Sequence, residues 1–257
     1  MTALVTGAAK RLGRAMALEL ASHGHDVAVH YNGSADAAEE TCEDIRALGV
    51  KAVALQANLL EEDEVQSLLP RAVDALGSVE ILVNNASIFD YDNIESANRE
   101  SWDRHLESNL RAPFVLTQAL AAQLPDPAID ANDEPVARGL VINMCDQRVH
   151  KLTPEFMTYT IAKMGLWAFT RTAAQALAPK CRVNAIGPGP TMQGGRQSAE
   201  HFAKQRAATI LERGADPQAI CEALRYFLTA KSVTGQLICV DGGQHLGWET
   251  PDVVGVE

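Results

Sequence analysis

The sequence predicts one α/β domain of the doubly wound class, with a seven-stranded parallel sheet and helices on both faces, spanning residues 1–257. Three observations carry that prediction. Short apolar runs of strand length alternate with longer amphipathic stretches along the whole chain, which implies right-handed βαβ units. A glycine-bearing turn follows the first run directly and opens the first helical stretch. No repeat, low-complexity run or composition shift marks a second domain.

The strand-length runs are Ala3-Leu4-Val5, 26–30 (DVAVH), Ala52-Val53-Ala54-Leu55, 79–83 (VEILV), Leu140-Val141-Ile142, 182–186 (RVNAI) and Leu237-Ile238-Cys239-Val240. Each is bounded by polar or glycine-bearing segments, as a buried strand requires. Between them, helical patterns cover 13–23, 36–48, 62–76, 100–123, 155–178 and 217–229. The segment PDPAIDANDEPVARG at 125–139, with its prolines and acids, reads as a surface loop. GPGPTMQGGR at 187–196 leads into a short helix near 197–212. Ligands bind at the carboxyl ends of such a sheet's strands, so 189–212 is expected to form a substrate lid.

Composition narrows the function classes. Apolar residues make up 47% of the chain, enough for a full core, and the formal charge of −11 argues against a nucleic-acid surface. The five cysteines (Cys42, Cys145, Cys181, Cys221, Cys239) have no CxxC spacing and are expected to be reduced thiols in a cytoplasmic protein. No stretch reaches the ~20 apolar residues of a membrane helix, and no His/Cys/Asp cluster has metal-ligand spacing. A soluble protein with a small-molecule ligand is the expectation.

In TGAAKRLGRA, Gly7 permits a tight turn and Gly13 permits close helix–strand packing. The helix start offers N–H groups and positive potential to a pyrophosphate, although Leu12 precedes Gly13 and Arg11 takes the place of a middle glycine. Sheets that bind NAD commonly place an acid at the end of the second strand. Here that strand runs into AVHYNGS with no acid before Asp36, so Lys10, Arg11, Asn32 and Ser34 favour NADP(H) over NAD(H).

Tyr159 and Lys163 share one helix face. An ammonium near a phenol lowers its pKa, so the pair is expected to handle protons near neutrality. Asp146 ends the fifth apolar run thirteen residues before Tyr159 and reads locally as a turn residue or a helix-entry cap.

Taken together, TGAAKRLG, NNAS at 84–87, SNLRAPF at 108–114, YTIAK at 159–163, GPGPT at 187–191 and VDGG at 240–243 resemble the short-chain dehydrogenase/reductase family over essentially the whole chain. The resemblance implies a Rossmann-type fold and assigns Tyr159 as general acid. It makes Lys163 the residue that binds the nicotinamide ribose and tunes the tyrosine, and Asn109 the residue that supports a water near the lysine. Asn85 and Ala86 flank the cofactor, Asn58 and Leu59 lie at the adenine, and Pro188, Gly189 and Thr191 lie beside the carboxamide. The long helices at 100–123 and 155–178 resemble those that pair in the family's dimers and tetramers, so a homotetramer or homodimer is expected. The tail HLGWETPDVVGVE is open between completing a neighbour's site and fraying.

The family usually has a serine at the place of Asp146. An ionised carboxylate accepts hydrogen bonds but cannot donate one to a carbonyl oxygen that gains negative charge. An acid suits a substrate with N–H groups, or one that needs a proton on a ring nitrogen. The branch most similar is the pteridine reductases, including dihydromonapterin reductases. Their HYxRS stretch resembles HYNGS, with His30, Tyr31, Asn32 and Ser34 at the cofactor and Gly33 in place of arginine. His30 by itself reads as a packed or solvent histidine. Their NNASxF resembles NNASIF, placing Ser87 at cofactor or substrate and Phe89 on one face of a bicyclic ring. Arg11 would reach cofactor phosphate and substrate. The resulting expectation is an NADPH-dependent reductase of a pterin-like substrate, dihydrofolate included. A carbonyl or 3-oxoacyl reductase and an idle nucleotide sensor are the alternatives. Arg148, His150 and Lys151 form a basic cluster open between anion attraction and a solvated face.

Overall fold

Strands form where the apolar runs lie, and each side of a strand enters a different core. In the computed structural model, which describes residues 1–195 and 197–250, β1 (Thr2–Val5), β2 (Asp26–Tyr31), β3 (Ala52–Gln56) and β4 (Val79–Asn84) alternate with α1 (Arg11–Ser22), α2 (Ala35–Ala47) and α3 (Glu62–Leu76). Ala3, Val5, Val27, Val29, Ile81 and Val83 pack against Met16 and Leu20 of α1 and Ile45 of α2. Leu4, Ala28 and Leu82, one residue out of phase, pack against Leu68 of α3 on the other side. This period-two alternation inside near-continuous apolar runs is what a sheet buried on both faces demands.

The second half repeats the pattern. α4 (Arg99–Leu106), a π turn at Glu107–Arg111 and α5 (Ala112–Gln123) precede β7 (Gly139–Met144); α6 (Met157–Leu177), β8 (Cys181–Pro188), α7 (Ala199–Ala207), α8 (Pro217–Thr229) and β9 (Leu237–Val240) follow. The sheet has seven parallel strands in the order β3-β2-β1-β4-β7-β8-β9. The fold is therefore the doubly wound one expected, and strand order reverses between β1 and β4. Such a switch point opens a crevice at the carboxyl ends of the strands.

Three local expectations change. Residues 125–139 are not all loop: Ala128–Ile129 (β5) and Pro135–Val136 (β6) form a short antiparallel hairpin. Asp130 builds its turn, its Oδ1 accepting the N–H groups of Asn132 at 2.8 Å and Glu134 at 3.0 Å. The continuous helix expected over 100–123 is interrupted by the π turn. Pro113 has no N–H to give the Asn109 carbonyl four residues back, so the helical ladder widens there. The helix near 197–212 is confined to Ala199–Ala207, where Ser198 Oγ caps it by accepting the His201 N–H at 3.1 Å. Arg196 of the expected lid and residues 251–257 of the tail lie outside the described residues. Among those described, no helix is long and apolar enough to cross a membrane.

Candidate active site

Two cavities meet at the switch point and share Arg11 and Leu12. The smaller, about 510 Å³, is walled by the glycine loop, the end of β2 and the ends of β3 and β4. Its main support is backbone. Thr6 Oγ accepts the N–H groups of Asn85 at 2.9 Å and Ala86 at 3.0 Å, and Asn85 Nδ2 donates to the Thr6 carbonyl at 2.9 Å. The Gly7 N–H donates to His30 Nδ1 at 3.0 Å, while His30 Nε2 lies 3.0 Å from the Ala57 carbonyl. These contacts fix the Nε2–H tautomer. Burial, the leading cause, pulls the His30 pKa down to about 4, so the ring is a neutral strut between the loop and β3. A Cβ on Gly13 would lie 2.1 Å from the Gly7 carbonyl oxygen and 2.6 Å from Asn85 Nδ2.

This cradle fits a dinucleotide. The cavity reaches from the first turn of α1 to Asn58 and Leu59, and its rim carries Lys10, Arg11 and Asn32 but no acid at the end of β2. Gly7, Gly13, Asn85, Ala86, Ser87 and His30 also line it, as the sequence leads one to expect. Tyr31 instead packs against the core, and Ser34 occupies the start of α2. The Asn58 side chain is turned into its own loop, where its Oδ1 accepts the Leu60 N–H at 3.2 Å.

The larger cavity, about 800 Å³, lies over the ends of β7 and β8 and under α7. Asp146 stands on its floor. β7 delivers this residue, and its carboxylate does two things. Oδ1 accepts the Arg148 N–H at 2.8 Å, capping the short turn Gln147–Val149, and Oδ2 accepts the Tyr159 hydroxyl at 2.8 Å. Asp146 is thus both turn cap and partner of the proposed acid. Lys163, one helical turn beyond Tyr159, is buried; its Nζ donates to the Met144 carbonyl at 2.7 Å and lies 5.6 Å from the Tyr159 ring centre.

Burial raises the Asp146 pKa above the ordinary carboxylate range. Burial, then the charge of Asp146 and the hydrogen bond to it, hold Tyr159 well above its ordinary value. Burial likewise lowers Lys163. The expected lowering of Tyr159 by the ammonium is therefore reversed, first because the hydroxyl is buried and then because the nearer charge is a carboxylate that it already donates to. Both Asp146 and Tyr159 hold protons more firmly than free side chains do.

Pro188, Gly189 and Thr191 line the same cavity beside Asp146. Asn109 is buried at the π turn, but its side chain is committed to the loop after β4: Oδ1 accepts the Ile88 N–H at 2.9 Å and Nδ2 donates to the Ile88 carbonyl at 2.8 Å. Ser87 lines the smaller cavity; Phe89 and Asp146 line the larger, Arg11 lines both, and Tyr159 stands behind Asp146, joined to it by the hydroxyl hydrogen bond. Arg11 donates to the main-chain carbonyls of Gln193 at 2.9 Å and Met192 at 3.3 Å, clasping the 189–212 segment to the glycine loop.

Sequence reasoning found one aromatic of the wall and missed the others. Phe89 stacks on Phe156, with ring centres 4.3 Å apart and planes 12° apart, and meets the Tyr159 ring edge-on at 4.6 Å. Tyr91 meets Phe156 edge-on at 5.2 Å. The Arg148 guanidinium lies 5.1 Å over Phe156 and, unlike exposed His150, belongs to the cavity wall. Phe156 sits three positions before Tyr159, a nearness that could have flagged it. The wall made with Phe89 could not have been foreseen, because 67 residues separate the two aromatics.

The enoyl-(acyl carrier protein) reductase family model matches residues 7–245. The 3-oxoacyl-[acyl-carrier-protein] reductase FabG of Staphylococcus epidermidis is 33% identical over 250 residues, covering 95% of this chain and 99% of that protein. The crystal structure of FolM alternative dihydrofolate reductase 1 from Brucella suis in complex with NADP is 43% identical, with a TM-score of 0.91 over 98% of each chain. A blue fluorescent protein from a metagenomic library, solved with NADPH, is 27% identical with a TM-score of 0.85, covering 95% of this chain and 97% of that one. The chain belongs to the short-chain dehydrogenase/reductase family and is an oxidoreductase of that type.

Proposed function

We propose that this short-chain reductase uses NADP(H) to reduce a C=N bond in a dihydropterin-type substrate, giving the tetrahydropterin. The observation that carries the reading is the 2.8 Å hydrogen bond from Tyr159 to Asp146 on the cavity floor. A carbonyl-reducing site directs its donors at the substrate oxygen. Here the tyrosine proton is directed at a carboxylate, and the carboxylate is held toward its neutral form. A neutral Asp146 donates to a ring nitrogen; an ionised one accepts from ring N–H groups. Either state suits a pterin edge, and Phe89 and Phe156 offer an aromatic wall for its bicyclic ring.

The cofactor, when bound, supplies hydride to the ring carbon. The chain does the remainder. Asp146 delivers the proton to ring nitrogen and takes its replacement from solvent through the cavity, while the Tyr159 hydroxyl, donating to Asp146, steadies the carboxylate left behind. Lys163 fixes the end of β7 through the Met144 carbonyl, and Arg11 holds the 189–212 segment as a lid over the cavity. The 43% identity to a FolM alternative dihydrofolate reductase supports this reading. The 33% identity to FabG supports a second, reduction of a 3-oxoacyl thioester. An apolar groove lined by Leu110, Phe114 and Phe169 supports the expected pairing of subunits through α5 and α6.

The test is NADPH consumption with dihydromonapterin, dihydrobiopterin, dihydrofolate and a 3-oxoacyl thioester side by side, for the wild type and Asp146→Ser. Losing a positioned acid lowers turnover roughly 10²–10⁴-fold. Dihydropterin reduction should fall by about that factor in the variant, with thioester reduction spared or raised. Unchanged dihydropterin turnover overturns the assignment.

A further inference from the structure

His105, on α4, lies outside both cavities and has no part in the scheme above, yet it touches the elements that carry both sides of the substrate site. The ring is fully buried. Its Nε2 accepts the N–H of Asp90 at 3.1 Å, and Asp90 is the neighbour of Phe89. Its Nδ1 lies 2.7 Å from the hydroxyl oxygen of Thr158, which immediately precedes Tyr159. Thr158 passes the connection on: its hydroxyl donates to Asp92 Oδ2, and its N–H donates to Asp92 Oδ1 at 3.1 Å. The Asp92 carbonyl accepts the Phe156 N–H at 2.8 Å. Buried Asp92 thereby serves the start of α6, where N–H groups lack helical partners.

The hydrogen assignments follow from the partners. Nε2 receives an N–H, so it carries no hydrogen; in the neutral ring the hydrogen is then on Nδ1, pointing toward Thr158. The chain runs His105 Nδ1–H to Thr158 Oγ–H to the Asp92 carboxylate. Asp90, Asp92 and Arg104 are the charged groups that act on the ring, and burial is the strongest influence, favouring the neutral form.

We propose that His105, in its Nδ1–H form, is a positioning residue that locks the Phe89 loop to the Tyr159 helix. One rigid ring spans the two, accepting from the loop and donating to the helix. The proposal takes its assay substrate from the dihydropterin reading, but the contacts exist in the free protein.

Two substitutions separate the two ends. The Asn amide nitrogen replaces Nδ1 but reaches no acceptor to Asp90; the Gln carbonyl oxygen replaces the Nε2 acceptor but leaves Thr158 without its donor. One neutral hydrogen bond corresponds to roughly three- to tenfold. His105→Asn should raise the dihydropterin KM by about that factor and leave kcat within about twofold. His105→Gln should lower kcat by that factor and leave KM within about twofold. Amide hydrogen exchange at Asp90, which needs no substrate, should accelerate about tenfold in His105→Asn and stay near wild type in His105→Gln. If wild type reduces no dihydropterin, the functional reading fails alone, and exchange still decides this one. Should either His105 variant fail to fold, Thr158→Val and Thr158→Ser replace it: Val should lower kcat, and Ser, keeping the hydroxyl, should restore it. Equal kcat and KM effects in the two His105 variants, unaltered Asp90 exchange in His105→Asn, or equal turnover in the Val and Ser variants would overturn the proposal.

Discussion

The two cavities share Arg11 and Leu12 but are held together by opposite means. The base of the smaller cavity is made from main chain and from neutral groups, the glycine loop, the Thr6–Asn85 bridge and an uncharged His30, with the charges of Lys10 and Arg11 confined to its rim. The larger cavity is made from side chains, with the half-buried Asp146 carboxylate, backed by buried Tyr159 and Lys163, on one side and stacked aromatics on the other. A main-chain site has tight steric tolerance and little charge to place. A side-chain site tolerates changes of shape better but carries the cost of burying titratable groups.

One methyl group should show the difference most strongly. Gly13→Ala places a Cβ 2.1 Å from the Gly7 carbonyl, a main-chain atom that cannot step aside. Overpacking of this kind costs about 1–3 kcal/mol, so NADPH affinity should fall about tenfold to a hundredfold, measured by fluorescence titration. Phe156→Leu, a larger change on the substrate side, removes stacking worth about 0.5–1.5 kcal/mol and should raise the substrate KM only about two- to tenfold. If the methyl group in the cradle proves milder than the loss of the ring, the contrast between the cavities is wrong.

The cavities should also respond to pH in opposite directions. Burial pulls the His30 pKa from its ordinary 6.5 to about 4 in the folded protein, so its stabilising neutral state is complete above pH 6.5 and lost as pH falls toward 4. That corresponds to roughly 3 kcal/mol at most. Asp146 is raised above 3.8, so the folded state binds its proton more tightly than the unfolded chain does. Its contribution is complete below pH 3.8 and declines as pH rises through the higher folded value. Thermal unfolding from pH 4 to 8 checks both signs. His30→Gln should lose less stability than wild type on acidification. Asp146→Asn should gain on wild type as pH rises, at about 2–4 °C in Tm for each kcal/mol relieved. Parallel pH curves for wild type and either variant would refute the corresponding half.

The same contrast explains what the sequence could disclose. The seven strands and the glycine turn follow from local signals, because a βα turn and an apolar run each lie within about ten residues. Asp146, Tyr159 and Lys163 were also legible, since they sit on one strand end and one helix. The aromatic wall was not: Phe89 and Phe156 meet only after β4 and the entry to α6 are packed side by side. Neither was His105, one histidine in an ordinary helical pattern until Thr158 and Asp90 close around it. The direction of the Tyr159 pKa was misjudged for a related reason. Spacing along the helix shows the nearness of Lys163, whereas the burial of the hydroxyl and its contact with Asp146 exist only in the fold.

Arg11 is the place where the contrast can be sharpened, because it lines both cavities. Its two hydrogen bonds go to the main-chain carbonyls of Met192 and Gln193, across 182 residues in one case. These bonds are exposed and each contributes modestly. Arg11→Gln keeps a donor but loses the fork, so lid closure should weaken without disturbing the cradle below it. The KM values for NADPH and for dihydropterin should both rise, by about threefold, while kcat changes little. A rise in the NADPH value alone would make Arg11 a phosphate ligand that merely rests against the lid. A rise in the dihydropterin value alone would place it wholly on the substrate side. Only a joint rise fits a residue whose guanidinium ties the segment above the substrate to the loop beneath the cofactor.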